Sequence, residues 1–155
     1  MPIEEILKIS QGLLTPIIGL VATYIAWQQW KTNRNKLNLD RYERRLQVYK
    51  EVVRFISIGR RDANYNDDEL LTFRLKVSEA DFLFGEEVSK YIDELHQRAV
   101  NLYRWNKEYR DDSRPKPEGY NHKEVVDEMH KELLWVSSQL EPARNLFKKY
   151  LNISQ

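Results

Sequence analysis

ISQGLLTPIIGLVATYIAWQQW, residues 9–30, is a run of 22 positions without a single charge, closed at its ends by Lys8 and Lys31. At about 1.5 Å per residue, such a run makes about 33 Å of helix, enough for a hydrocarbon core of about 30 Å. Ile9, Leu13, Leu14, Ile17, Ile18, Leu20, Val21 and Ile25 supply its strongly apolar side chains. Each favours insertion by about 0.3–0.6 kcal/mol at the helix centre, and Gln11, Thr15, Thr23, Gln28 and Gln29 offset part of that sum. Trp27 and Trp30 fall where an indole rests its ring in lipid and its N–H among headgroups. The run therefore reads as one transmembrane helix.

Three other readings fit less well. A cleaved signal peptide needs a basic leading region, and Met-Pro-Ile-Glu-Glu has none. A helix lying flat on a membrane carries a charged face, which this run lacks. A buried core helix of a soluble protein is the remaining alternative.

Charge sets the expected orientation. Glu4, Glu5 and Lys8 precede the run, whereas residues 31–50 carry Lys31, Arg34, Lys36, Arg41, Arg44, Arg45 and Lys50. Basic groups stay on the cytoplasmic side, so residues 1–30 form an outward N-terminus and inner-membrane span, and residues 31–155 a cytoplasmic domain. The chain has no cysteine, in keeping with a reducing compartment. Residues 31–61 hold a net charge of +7 and residues 62–155 a net of −5, so the chain is positive beside the membrane and negative beyond it.

The apolar spacing beyond residue 30 is helical throughout. Leu39, Tyr42, Leu46, Tyr49, Val53 and Ile56 step by three and four, the mark of one buried stripe, with Gly59 as the expected stop. Asn33, Asn35 and Asn38 mark where a long helix would break. Asn66 or Asp67 suits a cap for a helix carrying Leu70, Leu71, Arg74 and Val77. Phe82, Leu83 and Phe84 before Gly85 read as a buried corner. Val88, Tyr91, Ile92, Leu95, Ala99 and Leu102 form the next stripe, ending near Tyr109. A loop over 111–120 holds Pro115, Pro117 and Gly119. Asn121 with Glu124 resembles a capping box ahead of Val126, Met129, Leu133, Val136 and Leu140, and Pro142 opens or kinks a last helix with Leu146, Phe147 and Tyr150. No strand-like alternation competes. The expected fold is all-α: one N-terminal transmembrane helix followed by a cytoplasmic antiparallel helical bundle of four to five helices.

Functional expectations follow from the same residues. Trp27, Trp30, Lys31, Arg34 and Lys36 form a membrane-interface set, and Arg41, Arg44 and Arg45 are candidates to face anionic lipid. Nucleic-acid binding by the basic stretch is disfavoured, because its aromatic residues fall on the buried stripe or at the membrane belt. Thr15, Gly19 and Thr23 are spaced by four, as are Ala22 and Ala26, which narrows one side of the helix for self-association into a homo-oligomer. In such an assembly Gln11, Thr15, Thr23, Gln28 and Gln29 would line a polar path.

Catalytic signals are sparse. His122 and His130 lie eight apart near Glu124, Asp127 and Glu128, a spacing that completes no metal set, and His96 follows Asp93 by three. There is no phosphate loop, no G-x-S-x-G and no cysteine nucleophile. The expectation is a non-enzymatic protein without metal or cofactor, acting on an unidentified cytoplasmic protein partner or on the membrane as a pore or scaffold. The alternative is a membrane-tethered enzyme or binding module for RNA or nucleotides, with His130 and Asp127 as its natural centre. Arg60 with Arg61, or Trp105, Tyr109 and Tyr120 around the proline loop, would form a partner-binding rim, or would simply pack the loop on its helices.

Residues 24–37, YIAWQQWKTNRNKL, and residues 39–49, LDRYERRLQVY, resemble a group of bacterial single-span membrane proteins with a short helical cytoplasmic part. Residues 78–85, SEADFLFG, and 147–151, FKKYL, are similar too. The resemblance implies the anchor and the helical domain, and no activity. By architecture the chain is also similar to membrane-bound accessory proteins of some CRISPR systems, a kind of defence effector with HEPN-like bundles that assemble into pores. The usual HEPN nuclease motif has an Arg and a later His with four to six residues between them. None of His96, His122 or His130 has an Arg at that distance, and Arg114 precedes His122 by eight. That departure puts a HEPN nuclease in doubt.

Overall fold

The computed structural model describes residues 3–111 and 113–152, with side-chain surroundings from residue 16 onward. Six helices account for it: α1 (Ile3–Asp62), α2 (Asp67–Lys76), α3 (Ala80–Leu83), α4 (Glu86–Glu108), α5 (His122–Ser137) and α6 (Leu140–Lys148). Among the described residues there is no strand, and the all-α class stands. Contacts divide the chain into two units, Met1–Arg41 and Tyr42–Gln155. The sequence had placed its boundary between residues 30 and 31.

The first unit is α1 as far as Arg41. Helix continues through residues 33–38, so the three asparagines do not interrupt it. Of the uncharged run, the described side chains are those of residues 16–30, about 22 Å of helix. Among the described residues no helix is long and apolar enough to cross a membrane, and the expected spanning helix gains no support there.

In the second unit α1 buries Val48, Val52, Phe55, Ile56 and Ile58. Of the stripe expected through Leu39, Tyr42, Leu46, Tyr49, Val53 and Ile56, Ile56 is buried as expected, but the buried face is turned by part of a helical turn. Leu39 is exposed, and the other four are only half-buried. The cause is visible in the sequence, where Val48, Val52 and Phe55 make a second three-four stripe one residue from the first. Packing selected the stripe whose ring finds partners. Phe55 stacks on Phe73 of α2, with centroids 3.9 Å apart, and on Tyr65, 4.4 Å away.

Tyr65 also explains Gly59. Its hydroxyl donates to the Phe55 carbonyl at 3.0 Å, and a Cβ on Gly59 would lie 2.3 Å from that oxygen. Gly59 is therefore a close-approach position rather than the expected stop. The helix runs on to Asp62 and ends at Ala63, whose φ of 51° is left-handed, a conformation that costs a non-glycine residue about 1–2 kcal/mol.

Asn66 caps α2 in a full capping box: its side chain accepts from the Glu69 N–H at 2.8 Å, and Glu69 accepts from the Asn66 N–H at 3.0 Å. The corner expected at Phe82, Leu83 and Phe84 is only partly inward. Phe84 is buried against Phe147 and Tyr150, Leu83 is half-buried, and Phe82 is 90% exposed. Phe82 and Leu83 end α3, where consecutive side chains point about 100° apart, and Phe84 follows in extended backbone, so the three do not share one face.

Helix α4 buries Val88, Ile92, Leu95, Ala99 and Leu102 as the periodicity predicts, and pairs most extensively with α5. Asn121 caps α5 through the Glu124 N–H, without the reciprocal bond of a full box. On α5 Val125 is buried where Val126 was expected. Glu132, also buried, accepts from Arg98 at 3.2 Å and Asn101 at 3.3 Å, both on α4.

Candidate functional site

Residues 16–36 of the first unit carry the most unusual surface. At about 100° per residue, Trp27, Leu20, Tyr24, Ile17, Val21, Ile25 and Ile18 cover about half the helix circumference. Gly19, Ala22, Thr23 and Ala26 share the other half, with Trp30 at its end. Thr15 and Gln11 lie outside the residues whose side chains are described. All eight large residues are exposed. Neither half carries a charge, whereas a helix facing water on one side has a polar face there.

Two polar side chains of this stretch bond within the helix. The Thr23 hydroxyl donates to the Gly19 carbonyl at 2.8 Å, and the Gln28 amide donates to the Tyr24 hydroxyl at 3.0 Å. Directly after the run, cations sit over indoles one turn back. Lys31 Nζ lies 5.7 Å from the Trp27 ring and the Arg34 guanidinium 5.4 Å from that of Trp30. Such pairs gain about 0.5–1 kcal/mol when exposed and more when desolvated. Lys36 is exposed on the same helix, beside Thr32 and Asn33.

The three arginines proposed to face lipid separate. Arg41 is exposed at the end of the first unit. Arg44 pairs with Glu79 at 3.2 Å on the surface of the second. Arg45 is committed elsewhere: it donates to the carbonyls of Leu83 (2.9 Å) and Tyr150 (3.3 Å), with its guanidinium over the Phe84 and Tyr150 rings. Half-buried, it holds two segments together through that guanidinium.

The remaining candidates are arranged as packing. Arg61 grips its neighbour Asp62 through two bonds of 2.7 Å and holds that carboxyl below its usual range, while Arg60 is exposed. Tyr120 accepts from the Arg110 N–H at 3.0 Å and meets His122 Nδ1 at 3.2 Å, and Tyr109 packs beside that imidazole. Trp105 lies under Arg104. This is a loop fastened to its helices. His130 is exposed, and no group of three His, Cys, Asp or Glu among the described residues could hold a metal.

Sequence reasoning missed Glu51. Its carboxylate, 8% exposed, accepts from Arg54 Nε on both oxygens at 2.9 Å and lies 3.3 Å from Lys76 Nζ. The signal was present: an acidic residue on the stripe between Val48 and Phe55, with an arginine three residues on.

Compared with known proteins, the chain matches no family model, no curated protein and no solved structure.

Proposed function

We propose that this chain is a membrane-anchored, self-associating helical protein, placed in a cell inner membrane by residues 9–30. The second unit, on the cytoplasmic side, then binds a protein partner or helps the assembly perturb the bilayer as a pore or scaffold. One observation carries the reading. Residues 16–30 expose large apolar side chains, offer no charged face and bond Thr23 and Gln28 inside the helix, which suits a medium without water. Lys31 and Arg34, folded back over Trp27 and Trp30, suit the anionic headgroup boundary. The small-residue side of the same helix supplies a surface for close association.

The chain's lack of cysteine makes the test clean. Glu4→Cys and Lys148→Cys variants, expressed in bacteria, are treated with a maleimide that does not cross membranes. The expected result is labelling of Cys at position 4 in spheroplasts, labelling at position 148 only after lysis, and retention of the protein in membranes washed at alkaline pH. Release by that wash, or labelling at 148 in intact spheroplasts, overturns the reading.

A further inference from the structure

A basic hollow of about 280 Å³ lies on the second unit, lined by Gln47, Lys50, Glu51, Arg54 and Lys76. A buried carboxylate needs a counter-charge, and Arg54 supplies it in a two-oxygen grip on Glu51. Lys76 is a second cation on the same group, and Lys50 a third on the rim with no ion-pair partner among the described residues. Glu69 also acts on Arg54, and the total around the hollow is still positive. Three cations share this hollow with one buried acid, and a further anion would ease their mutual repulsion.

Donors remain to receive it. Arg54 uses Nε and Nη2 on Glu51, which leaves Nη1 unused among its bonds to that carboxylate. Lys50, Lys76 and Gln47 line the same space. Both Glu51 oxygens are covered by Arg54 or Lys76, which screens the acid from an incoming anion and fixes the two cations in place. The volume sits just below the usual range of about 300–1,000 Å³ for drug-sized ligands, so it suits one compact anion rather than a whole nucleotide.

We propose that Gln47, Lys50, Arg54 and Lys76, set by the buried Glu51, bind a phosphate group. The phosphate belongs to a lipid headgroup or to a soluble monoester, and the site stands independently of the membrane anchor.

The test uses the full chain in neutral detergent, titrated with inorganic phosphate against chloride at matched ionic strength, and followed by thermal unfolding and by 31P line broadening. Phosphate is expected to raise the midpoint and broaden, and Lys50→Gln with Lys76→Gln to weaken its binding at least tenfold at unchanged helix content. Lys50→Gln alone, which breaks no described ion pair, is expected to weaken it severalfold, and Lys50→Arg to restore it. A wild-type response no greater than that to chloride, or equal phosphate affinity in the single and double variants, overturns the site. A tenfold preference for short-chain phosphatidic acid over glycerol 3-phosphate assigns the phosphate to lipid, and parity assigns it to a soluble monoester.

Discussion

At the residue scale, Tyr65 and Gly59 are one device. Burial pushes the Tyr65 phenol well above its usual value, so it stays a hydrogen donor to the Phe55 carbonyl at any working pH. The ring can lie that close only because position 59 has no side chain. Gly59→Ala should destabilise the protein by about 1–3 kcal/mol through overpacking. Tyr65→Phe should cost about 1 kcal/mol for the lost bond. With the hydroxyl gone the alanine has one clash fewer, so the two costs should sum to less than their separate values in a urea-denaturation double-mutant cycle. Strict additivity would mean that the two positions do not meet. A glycine near the end of an apolar stripe looks like a helix stop, and from sequence the two roles are the same letter. What separates them is the ring from residue 65, brought back by a turn whose left-handed Ala63 carries no sequence signal. The Asn66 and Glu69 cap, by contrast, was half legible because both its partners are three residues apart.

At the scale of elements, α2 meets α4 at a titrating group. His96 of α4 stacks near Phe73 of α2, with Arg74 and Asp93 paired beside it. Burial holds its imidazole below the usual value, and Arg74 adds to this, against Asp93 and the bond with Leu70. The unfolded chain, with a histidine near 6.5, then takes up a proton more readily than the folded one. Stability from this group is complete above about pH 6.5 and is lost as pH falls from there toward the folded value. Thermal midpoints measured from pH 7.5 to 5.5 should therefore drop more for the wild type than for His96→Gln, and parallel curves would remove His96 from the interface. Helix α4 itself was readable because its apolar positions form one stripe with charged flanks. The last turns of α1 were not, since two stripes a residue apart have equal periodicity, and only the partner ring Phe73 distinguishes them.

At the scale of the whole molecule, the charge asymmetry was legible as arithmetic, but the division at Arg41 was not, because nothing in composition changes between Arg41 and Tyr42. Gly19 offers a clean probe of assembly. Beyond the adjoining helix backbone, a Cβ there meets no described atom within 4 Å, so a larger side chain finds room within the chain and a change in mass reports contact between copies. Gly19→Ile should lower the detergent-corrected mass seen by light scattering toward that of a single chain, with helix content unchanged. An unaltered mass would take the small-residue face out of any assembly. The Arg45 bridge has a consequence in time. Its two carbonyl partners, Leu83 and Tyr150, emerge 38 and 105 residues after it. At about 5–20 residues per second, the second is made about 5–20 s later. During synthesis, then, Arg45 belongs electrically to the basic run that follows Trp30, and only the finished protein withdraws its charge between two carbonyls and two rings.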